Sequence, residues 1–321
     1  MSEFADELTG LVRDLAKDAA PARDGQLPDI WPKVQELGLA GIGIAEEAGG
    51  SGGELDDLLV VIRELARAGI DTPIVEAATA AFAIGPSADG RFDTVVLSAE
   101  AGLDIVTYAP SARRAVVVGA SDIAVFELAE ADIDSLIDIA GRPAGRVRLG
   151  GASVTHPAIS ADAVSERLAL ARSASLIGLC WGAYDLTKRY VVDRHQFGAP
   201  LIKISAVSTN VAHMVVGIRM AESALRRAVA ASSDPGATEL RRFGAAASAR
   251  IAAAQCATAV ARTAHQLHGA VGITTEYGLH SYTRALWAQR DADESELHWC
   301  GRLGAAALDV DEDAFWDQLT A

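Results

Sequence analysis

The second half of the chain most constrains the fold, because three long helical runs follow one another there with only short breaks. They extend from Ser160 to about Asp193, from about Lys203 to Ala231 and from about Ala237 to Leu267. Gly198-Ala199-Pro200 separates the first two runs, and Asp234-Pro235-Gly236 separates the last two. Glycine and proline both end helices at such positions. Long helices with short connections pack as antiparallel neighbours, so this half predicts a helical bundle.

Shorter elements are predicted on either side. Apolar residues recur at helical spacing in residues 2–20, 28–38, 54–67 and 71–82, and beyond the long runs in residues 276–290, 294–308 and 311–319. Short β-prone runs separated by Gly, Pro, Ser and Asp occupy residues 94–97, 105–108, 115–118 and 123–126. The sequence therefore predicts a mainly α protein with a small β domain. We place a helical domain at 1–88, the β domain at 89–157 and the C-terminal bundle at 158–321.

The composition argues against several classes of protein. A net charge of −15 disfavours DNA or RNA, whose phosphates require a basic surface. No apolar run approaches the roughly 18 residues of a membrane span, and the first residues lack an apolar export segment. We therefore expect a cytoplasmic protein with no membrane span and no bound nucleic acid.

Cysteine and histidine spacings do not predict a metal or disulfide site. The three cysteines are too scattered for a disulfide framework or a Cys-x-x-Cys site. His265, His268, His280 and His298 fit no metal-ligand spacing. We predict no metal site, with His268 lining a turn and the other histidines structural or exposed.

A glycine-rich segment ends at Gly53 and must be a loop. In it, Gly41-x-Gly43 is followed by Glu46, where the third glycine of a dinucleotide fingerprint belongs. No Lys-Ser/Thr pair follows the glycines, so the segment is not a P-loop either.

Two positions in the bundle carry residues suited to an anionic cofactor. Arg194, at the end of the first long helix, offers a planar guanidinium for a diphosphate, and Phe197 follows it. Gln266 can donate and accept hydrogen bonds, and Gly269 lets backbone approach a ligand. The alternatives are an Arg at a helix end with Phe197 packed beneath it, and Gln266 as a helix-end cap.

Three motifs occur in a fixed order along the chain. They are Leu37–Ile42 with Glu46–Gly53, then Arg194-x-x-Phe197-Gly198-x-Pro200, then Gln266–Ile273. Distributed over a helical domain, a small β domain and a helical bundle, they resemble the acyl-CoA dehydrogenase family. The resemblance implies FAD as cofactor. It also implies that Arg194 and Phe197 reach an FAD held mainly by a neighbouring subunit, with Gln266 and Gly269 at its adenine end.

The β domain departs from the family pattern. Between Gly85 and Thr155 there is neither a Trp nor a TExxxGSD-like loop, which in the family contact the flavin ring and the acyl chain. The resemblance therefore implies a short subunit in an α2β2 heterotetramer with a full-length acyl-CoA dehydrogenase partner. The expected substrate is a bulky, steroid-derived acyl-CoA, and the expected electron acceptor is an electron-transfer flavoprotein or a similar protein. A non-catalytic scaffold and a flavin monooxygenase or oxidase of the same fold remain as alternatives.

The position of the catalytic base is the second departure. In the family, a carboxylate removes the α-proton, and counting from Gly269 by the family's usual spacing reaches Asp293, our candidate base. The alternatives are an ordinary solvated helix start at Asp293 and a base supplied by the partner. Some branches place the base earlier, where this chain has Leu168. Glu166 lies two residues away and should face away from that position, because two residues rotate a helix by about 200°.

Overall fold

The computed structural model describes residues 4–20, 22–87, 90–97, 103–148, 153–155 and 159–320. The chain forms two compact units. The first contains the chain up to Leu65 together with Ile70–Ala171, and the second contains Ala66–Gly69 and the chain from Arg172 onwards. The predicted boundaries at residues 88/89 and 157/158 fall at positions outside the described residues, so the three-domain division stays a prediction.

The N-terminal helices are close to those predicted. They are α1 (Ala5–Lys17), α2 (Trp31–Glu36), α3 (Leu55–Arg67) and α4 (Ile74–Ile84). α4 is buried almost all round, as its predominantly apolar sequence requires. Gly38, with a φ of 67°, ends the turn after α2.

The glycine-rich segment closes on its own backbone. Gly43 N donates to Gly52 O at 2.8 Å, and Gly52 N donates to Ile44 O at 2.9 Å. A side chain at Gly50 would overlap the Ile44 carbonyl, so this glycine permits a close approach between two parts of the loop. These contacts give the glycines a packing role within the first unit.

The β region contains two small sheets. Its strands are β1 (Thr94–Leu97), β2 (Leu103–Thr107), β3 (Arg114–Val118), β4 (Ile123–Glu127), β5 (Asp132–Ile137), β6 (Pro143–Arg148) and β7 (Ser153–Thr155). One sheet has the order β1-β3-β4-β7, with β1 and β3 parallel; the other is antiparallel with the order β2-β6-β5. Val106 and Val147 of the second sheet share a buried cluster with Ala115 of the first.

Four of the seven strands were predicted, and β5, β6 and β7 were missed. β5 reads Asp-Ile-Asp-Ser-Leu-Ile and is mostly exposed at the edge of its sheet. β6 begins at Pro143 and includes Gly145, two residue types that are rare in strands. Hydrogen bonding to neighbouring strands holds β5 and β6 extended. The β-propensity of a short segment does not reveal such pairing, because the partner strand is elsewhere in the sequence.

The C-terminal part of the chain is mainly helical. It contains α5 (Ala161–Asp193), α6 (Ser205–Ser233), α7 (Glu239–His268), α8 (Leu279–Arg290), α9 (Glu296–Leu308) and α10 (Glu312–Thr320). The three long helices are confirmed to within a few residues. None of the described helices combines the length and the apolar composition that a membrane crossing requires.

Close packing within the second unit depends on Gly182 of α5. A Cβ at this position would overlap the Tyr282 ring and lie 2.6 Å from the Arg67 carbonyl oxygen. That carbonyl accepts a hydrogen bond from the Tyr282 hydroxyl at 3.1 Å. The absence of a side chain at Gly182 therefore leaves room for the Tyr282 ring beside the backbone at the end of α3.

We predict that Gly182→Ala lowers the free energy of unfolding by about 1–3 kcal/mol, because the added methyl group overpacks this contact. Gly10→Ala is the matched control: Gly10 lies in α1, where an added Cβ meets nothing within 4 Å. It should raise the free energy of unfolding by about 0.5–1 kcal/mol through helix propensity. Equal effects of the two variants in urea denaturation would contradict the packing argument.

Candidate functional site

The chain reverses direction immediately after α5. Arg194 N donates to Tyr190 O at 2.8 Å, which adds one turn-like bond beyond the last helical residue, Asp193. His195–Gln196 then pairs with Ala199–Pro200 as a two-stranded antiparallel hairpin. The Arg-x-x-Phe-Gly-x-Pro motif is thus a hairpin that projects from the end of a long helix.

Phe197 lies at the tip of this hairpin. Phe197 and Gly198 both have positive φ, 55° and 82°, as a two-residue type I′ hairpin turn requires. Glycine adopts this conformation freely, but in a phenylalanine it is strained by about 1 kcal/mol. The ring is 92% exposed. The alternative that Phe197 packs beneath the helix end is therefore wrong, because the hairpin turns the ring outward.

The second candidate segment follows α7. Gln266 is exposed on the last turn, and Gly269 has φ 60° and ψ −142°, a conformation that is essentially restricted to glycine. A Cβ at Gly269 would meet nothing within 4 Å, so its backbone is open to a ligand. At Gly272 a Cβ would lie 2.8 Å from His268 Cβ, so that glycine serves packing within the chain.

Aromatic side chains bring the two segments together. Tyr190, on the last turn of α5, stacks on His268, the last residue of α7, with ring centroids 4.5 Å apart and 24° between the planes. Tyr277 completes the cluster, at 5.0 Å from His268 and 5.5 Å from Tyr190. The structure therefore places the Arg194 hairpin and the Gln266–Gly269 turn at the same end of the second unit.

Tyr190 and Tyr277 lie outside the residues predicted for the site from the sequence motifs. Tyr190 lies on the last turn of α5. Its position one turn before Arg194 was the available signal, because a residue there faces the same end of the helix.

His268 is a neutral imidazole at neutral pH. Its Nδ1 lies 2.8 Å from the Ala264 carbonyl oxygen and must carry the proton, since a carbonyl only accepts. Burial lowers the pKa of His268 and also that of His265. Within the described part of the chain, His268 Nε2 is buried and has no hydrogen-bond partner. The ring therefore acts as a stacking platform that carries no positive charge of its own.

The exposed groups at this end fit an extended phosphorylated cofactor. Arg194 is exposed, and among the described residues no carboxylate pairs with it. A guanidinium of this kind matches a diphosphate, and the Gln266 amide and open Gly269 backbone match the polar edge of a heterocycle. Arg194, Gln266 and Gly269 therefore fit the phosphate and nucleoside parts of such a cofactor.

Asp293 lies in a different environment, among buried arginines. Arg172 Nε donates to Asp293 Oδ2 at 2.9 Å, and the two side chains are 2% and 10% exposed. Asp293 also has a positive φ of 61°, which aspartate tolerates better than most residues. The carboxylate is therefore not the solvated helix start considered above, and Ser295 caps α9 instead by accepting from His298 N.

A second buried guanidinium, that of Arg250, feels the charge of the same carboxylate. Burial lowers the pKa of Arg250 to about 10, while the charge of Asp293 opposes this shift and that of Arg172 adds to it. Arg250 Nη2 donates to the Arg290 carbonyl at 2.7 Å and so satisfies the C-terminal end of α8. Asp293 thus pairs with the buried Arg172, and its charge also acts on the buried Arg250. Its assignment as catalytic base stays a prediction.

The two earlier positions considered for the base lie in α5. Leu168 is buried, and α5 is a continuous α-helix from Ala161 to Asp193 without a bulge. The regular helix preserves the rotation of about 200° between Glu166 and Leu168 on which Glu166 was rejected. Across the residues that the structure describes, no group of three or more His, Cys, Asp or Glu side chains is placed to hold a metal ion.

Comparison with known families identifies the class of protein. The N-terminal domain of acyl-CoA dehydrogenases matches residues 2–87, and the C-terminal domain matches residues 159–290. Together they match more than half of the chain. The chain therefore belongs to the acyl-CoA dehydrogenase family, whose members are flavoprotein oxidoreductases and are generally FAD-dependent.

Individual relatives agree with this assignment. The acyl-CoA dehydrogenase IpdE2 of Mycobacterium tuberculosis is 29% identical over 295 residues, which cover 89% of each chain. The structure is similar to that of the Tcur3481–Tcur3483 steroid ACAD G363A variant, with a TM-score of 0.81, 23% identity and coverage of 96% of this chain and 98% of that one. It is also similar to the ChsE4–ChsE5 complex from Mycobacterium tuberculosis, with a TM-score of 0.81, 20% identity and coverage of 97% and 99%. At these identities the two structures establish the fold.

We predict that Phe197→Asn raises the free energy of unfolding of the chain by about 1 kcal/mol, because asparagine tolerates positive φ better than phenylalanine. Gln196→Asn, one residue earlier in the hairpin strand, should leave it within about 0.5 kcal/mol. Both are read from thermal and urea unfolding. A loss of stability in Phe197→Asn would mean that the ring is packed.

We also predict that Asp293→Asn lowers the free energy of unfolding by about 3–5 kcal/mol, because it leaves buried guanidinium groups without their carboxylate. Asp291→Asn is the matched control, since Asp291 is exposed and forms only a surface pair with Arg290. It should cost less than about 1 kcal/mol. Equal stabilities of the two variants would remove the structural role of Asp293.

Proposed function

We propose that this chain is a subunit of an FAD-dependent acyl-CoA dehydrogenase that acts with a full-length partner subunit of the same family. In this proposal Arg194 and Phe197 contact the diphosphate region of an FAD held mainly by the partner. Gln266 and Gly269 contact its adenine end. The reaction is α,β-dehydrogenation of an acyl-CoA thioester.

One observation carries the proposal: the Arg194 hairpin and the Gln266–Gly269 turn are both exposed at the same end of the bundle. A strained aromatic side chain exposed to solvent, close in sequence to an arginine that pairs with no carboxylate among the described residues, has no evident use within that part of the chain. Strain and exposure of this kind are compensated when another molecule covers the residues. A second subunit with its cofactor would supply that cover.

The need for a partner follows from the β region. The flavin-ring contacts of the family, a tryptophan and a TExxxGSD-like loop, are missing from residues 85–155. The ChsE4–ChsE5 structure is described as a complex of two differently named proteins. The description of the Tcur3481–Tcur3483 steroid ACAD likewise names two proteins. Both precedents favour a heteromer for this chain, and we infer an α2β2 assembly.

When bound, FAD accepts the hydride that leaves the acyl β-carbon. The residues of this chain act at the other end of the cofactor. Arg194 offsets the diphosphate charge, and Phe197 shields that ion pair from water, which strengthens the attraction. Gln266 orients the adenine by hydrogen bonding. His268 holds the turn in place through its stack on Tyr190.

The base removes the α-proton of the thioester. Asp293 was the candidate from spacing, but a base must be free to take a proton and to approach its substrate. Arg172 Nε already donates to Asp293 Oδ2 at 2.9 Å, so this carboxylate is engaged inside the bundle and is not free to approach a substrate. We therefore favour a carboxylate of the partner as base. Acyl-CoA-dependent flavin bleaching by a folded Asp293→Asn complex decides between the two: retained bleaching assigns the base to the partner.

For the substrate we propose a bulky, steroid-derived acyl-CoA. One structural neighbour is described as a steroid ACAD, and a reduced β region would leave room for a ring system. An electron-transfer flavoprotein or a similar protein would then reoxidise the flavin. Rapid reoxidation of the reduced complex by oxygen alone would instead favour the oxidase or monooxygenase alternative.

The central prediction concerns Arg194 in the complex with its partner. Arg194→Gln should weaken FAD binding about 10- to 100-fold, because a charge-assisted contact to phosphate contributes about 1.5–3 kcal/mol. Arg194→Lys should recover part of the loss, since it keeps the charge and loses the bidentate geometry. Flavin absorbance per complex and FAD titration measure both.

The control is Arg227→Gln, which removes the same charge from the exposed face of α6. Arg227 lies about 33 Å along the helix from Ser205, the end of α6 that is near the Arg194 hairpin. It should leave FAD binding unchanged. If Arg194→Gln binds FAD as tightly as this control, Arg194 is not in the site. A colourless complex of unsubstituted chains would instead support the scaffold alternative.

A further inference from the structure

Arg167 is a buried cation in the first unit of the chain. It lies in α5, and only 7% of its surface is exposed. Burial lowers the pKa of its guanidinium to about 10, so the group still carries a positive charge at neutral pH. A charged group that has lost its water is normally paired with a group of opposite charge, because an unpaired charge is costly to bury.

Three other arginines are buried among the described residues, and they follow this rule. Arg142 and Arg172 each donate to an aspartate, at 2.6 and 2.9 Å, and the charge of an aspartate also acts on Arg250. Arg167 does not: in the part of the chain that the structure describes, it pairs with no carboxylate, and burial is the one influence on its pKa. It is therefore a positive charge that the described residues leave without a counterion.

Two neighbouring groups hold Arg167 in place but do not neutralise it. Its Nη2 donates to the Ile42 carbonyl oxygen at 3.2 Å, and its guanidinium lies over the Phe82 ring, 4.5 Å from the ring centroid. A carbonyl and an aromatic ring offer only partial negative charge, so they compensate only part of a full positive charge. Gly43 leaves room for this arrangement, since a Cβ at that position would lie 3.0 Å from Arg167 Nη2.

Part of the guanidinium of Arg167 remains available for binding. Its Nε is buried without a hydrogen-bond partner, and its Nη1 donates to no residue that the structure describes. Phe82 covers a face of the planar group, which leaves the N–H donors at its edges. An edge of a guanidinium presents two parallel donors, the arrangement that two oxygens of an anion accept.

We propose that Arg167 anchors a binding site for the carboxylate group of a small molecule. A carboxylate is planar, has two acceptor oxygens and carries a single negative charge, so it matches both the geometry and the charge of one guanidinium. A phosphate dianion would leave one negative charge unbalanced in the same buried place. The site lies in the first unit, whereas Arg194 lies in the second, and it would exist whether or not the chain binds FAD.

The surroundings of Arg167 restrict the shape of the ligand. Because so little of Arg167 is exposed, the end of a slender molecule can reach the guanidinium, whereas the surface of a folded protein cannot. Ile42 is buried and Phe82 lies against the guanidinium, so the carbon atoms next to the carboxylate would meet apolar side chains. An apolar stem favours binding there through the area that it removes from water. Butyrate, a carboxylate with a short alkyl stem, is therefore a suitable probe.

Calorimetric titration of the full chain with sodium butyrate, against a background of sodium chloride, tests the proposal. We expect one site with a Kd of about 0.1–10 mM, as suits a ligand of this size. Arg167→Met, which keeps much of the side-chain volume and removes the charge, should weaken binding by at least about 10-fold. The matched control is Arg13→Met, because Arg13 is exposed on α1 in the same unit. It should bind butyrate as tightly as the unsubstituted chain does.

The absence of butyrate binding by the unsubstituted chain would overturn the proposal, and so would equal affinities of Arg167→Met and Arg13→Met. Inorganic phosphate is titrated in parallel at a slightly alkaline pH, where it is mainly a dianion. Phosphate binding as tight as that of butyrate would overturn the assignment to a carboxylate. The titration is repeated with the partner subunit present. Loss of butyrate binding in that complex would also overturn the proposal, because a group of the partner would then occupy the site.

A second variant separates binding from folding, because Arg167→Met also removes the hydrogen bond to Ile42. Arg167→Lys keeps the charge but lacks the two-donor edge, so its affinity for butyrate should fall by about 3- to 10-fold. Exchange of about 50 mM chloride for butyrate should raise the Tm of the unsubstituted chain by about 1–5 °C through binding to the folded state, and that of Arg167→Lys by less. An equal rise in both would place the binding of butyrate elsewhere and would overturn the site.

Discussion

The stack of Tyr190 on His268 is the contact on which the candidate site depends. It joins the last turn of α5 to the last residue of α7, two helix ends that are far apart in sequence. Helix ends leave backbone groups available, and the segments that follow them change direction there. When the stack fixes these ends side by side, the hairpin with Arg194 and the turn with Gly269 become one surface. Burial keeps His268 neutral, so the stack adds no positive charge to that surface.

The glycines illustrate two different uses of the same residue. In the N-terminal glycine-rich segment, Gly50 allows two parts of one loop to approach each other. In α5, Gly182 makes room for the Tyr282 ring. Gly269 has open space where a side chain would be, although its backbone conformation also requires glycine. An open glycine beside an exposed arginine is what a ligand surface needs, whereas a crowded glycine is explained by the fold. This difference in surroundings distinguishes Gly269, in the candidate site, from glycines such as Gly50 and Gly182 that serve packing.

The acidic residues after α8 show how burial changes the meaning of a motif. By spacing alone, Asp293 was the carboxylate nearest to the expected position of a base. In the folded chain it neutralises Arg172, and its charge also acts on Arg250, which caps α8. Removing one partner from such a buried cluster is costly, whichever chemistry the site performs. A carboxylate at the right count along the chain is therefore a weak indication of catalysis when cationic side chains already surround it.

The sequence by itself determined the order of the elements. Helical periodicity located α5, α6 and α7, and Gly and Pro marked the breaks between them, because these signals are local in the chain. It also identified Arg194, Phe197, Gln266 and Gly269 as a set, through the motifs that contain them. Tertiary structure alone decided that Phe197 points outward at positive φ, that Tyr190 and His268 unite the two segments, and that Asp293 pairs with the buried Arg172. It also decided that β5 and β6 are strands. These features depend on partners distant in sequence, and no local pattern of side chains reports which partners will meet.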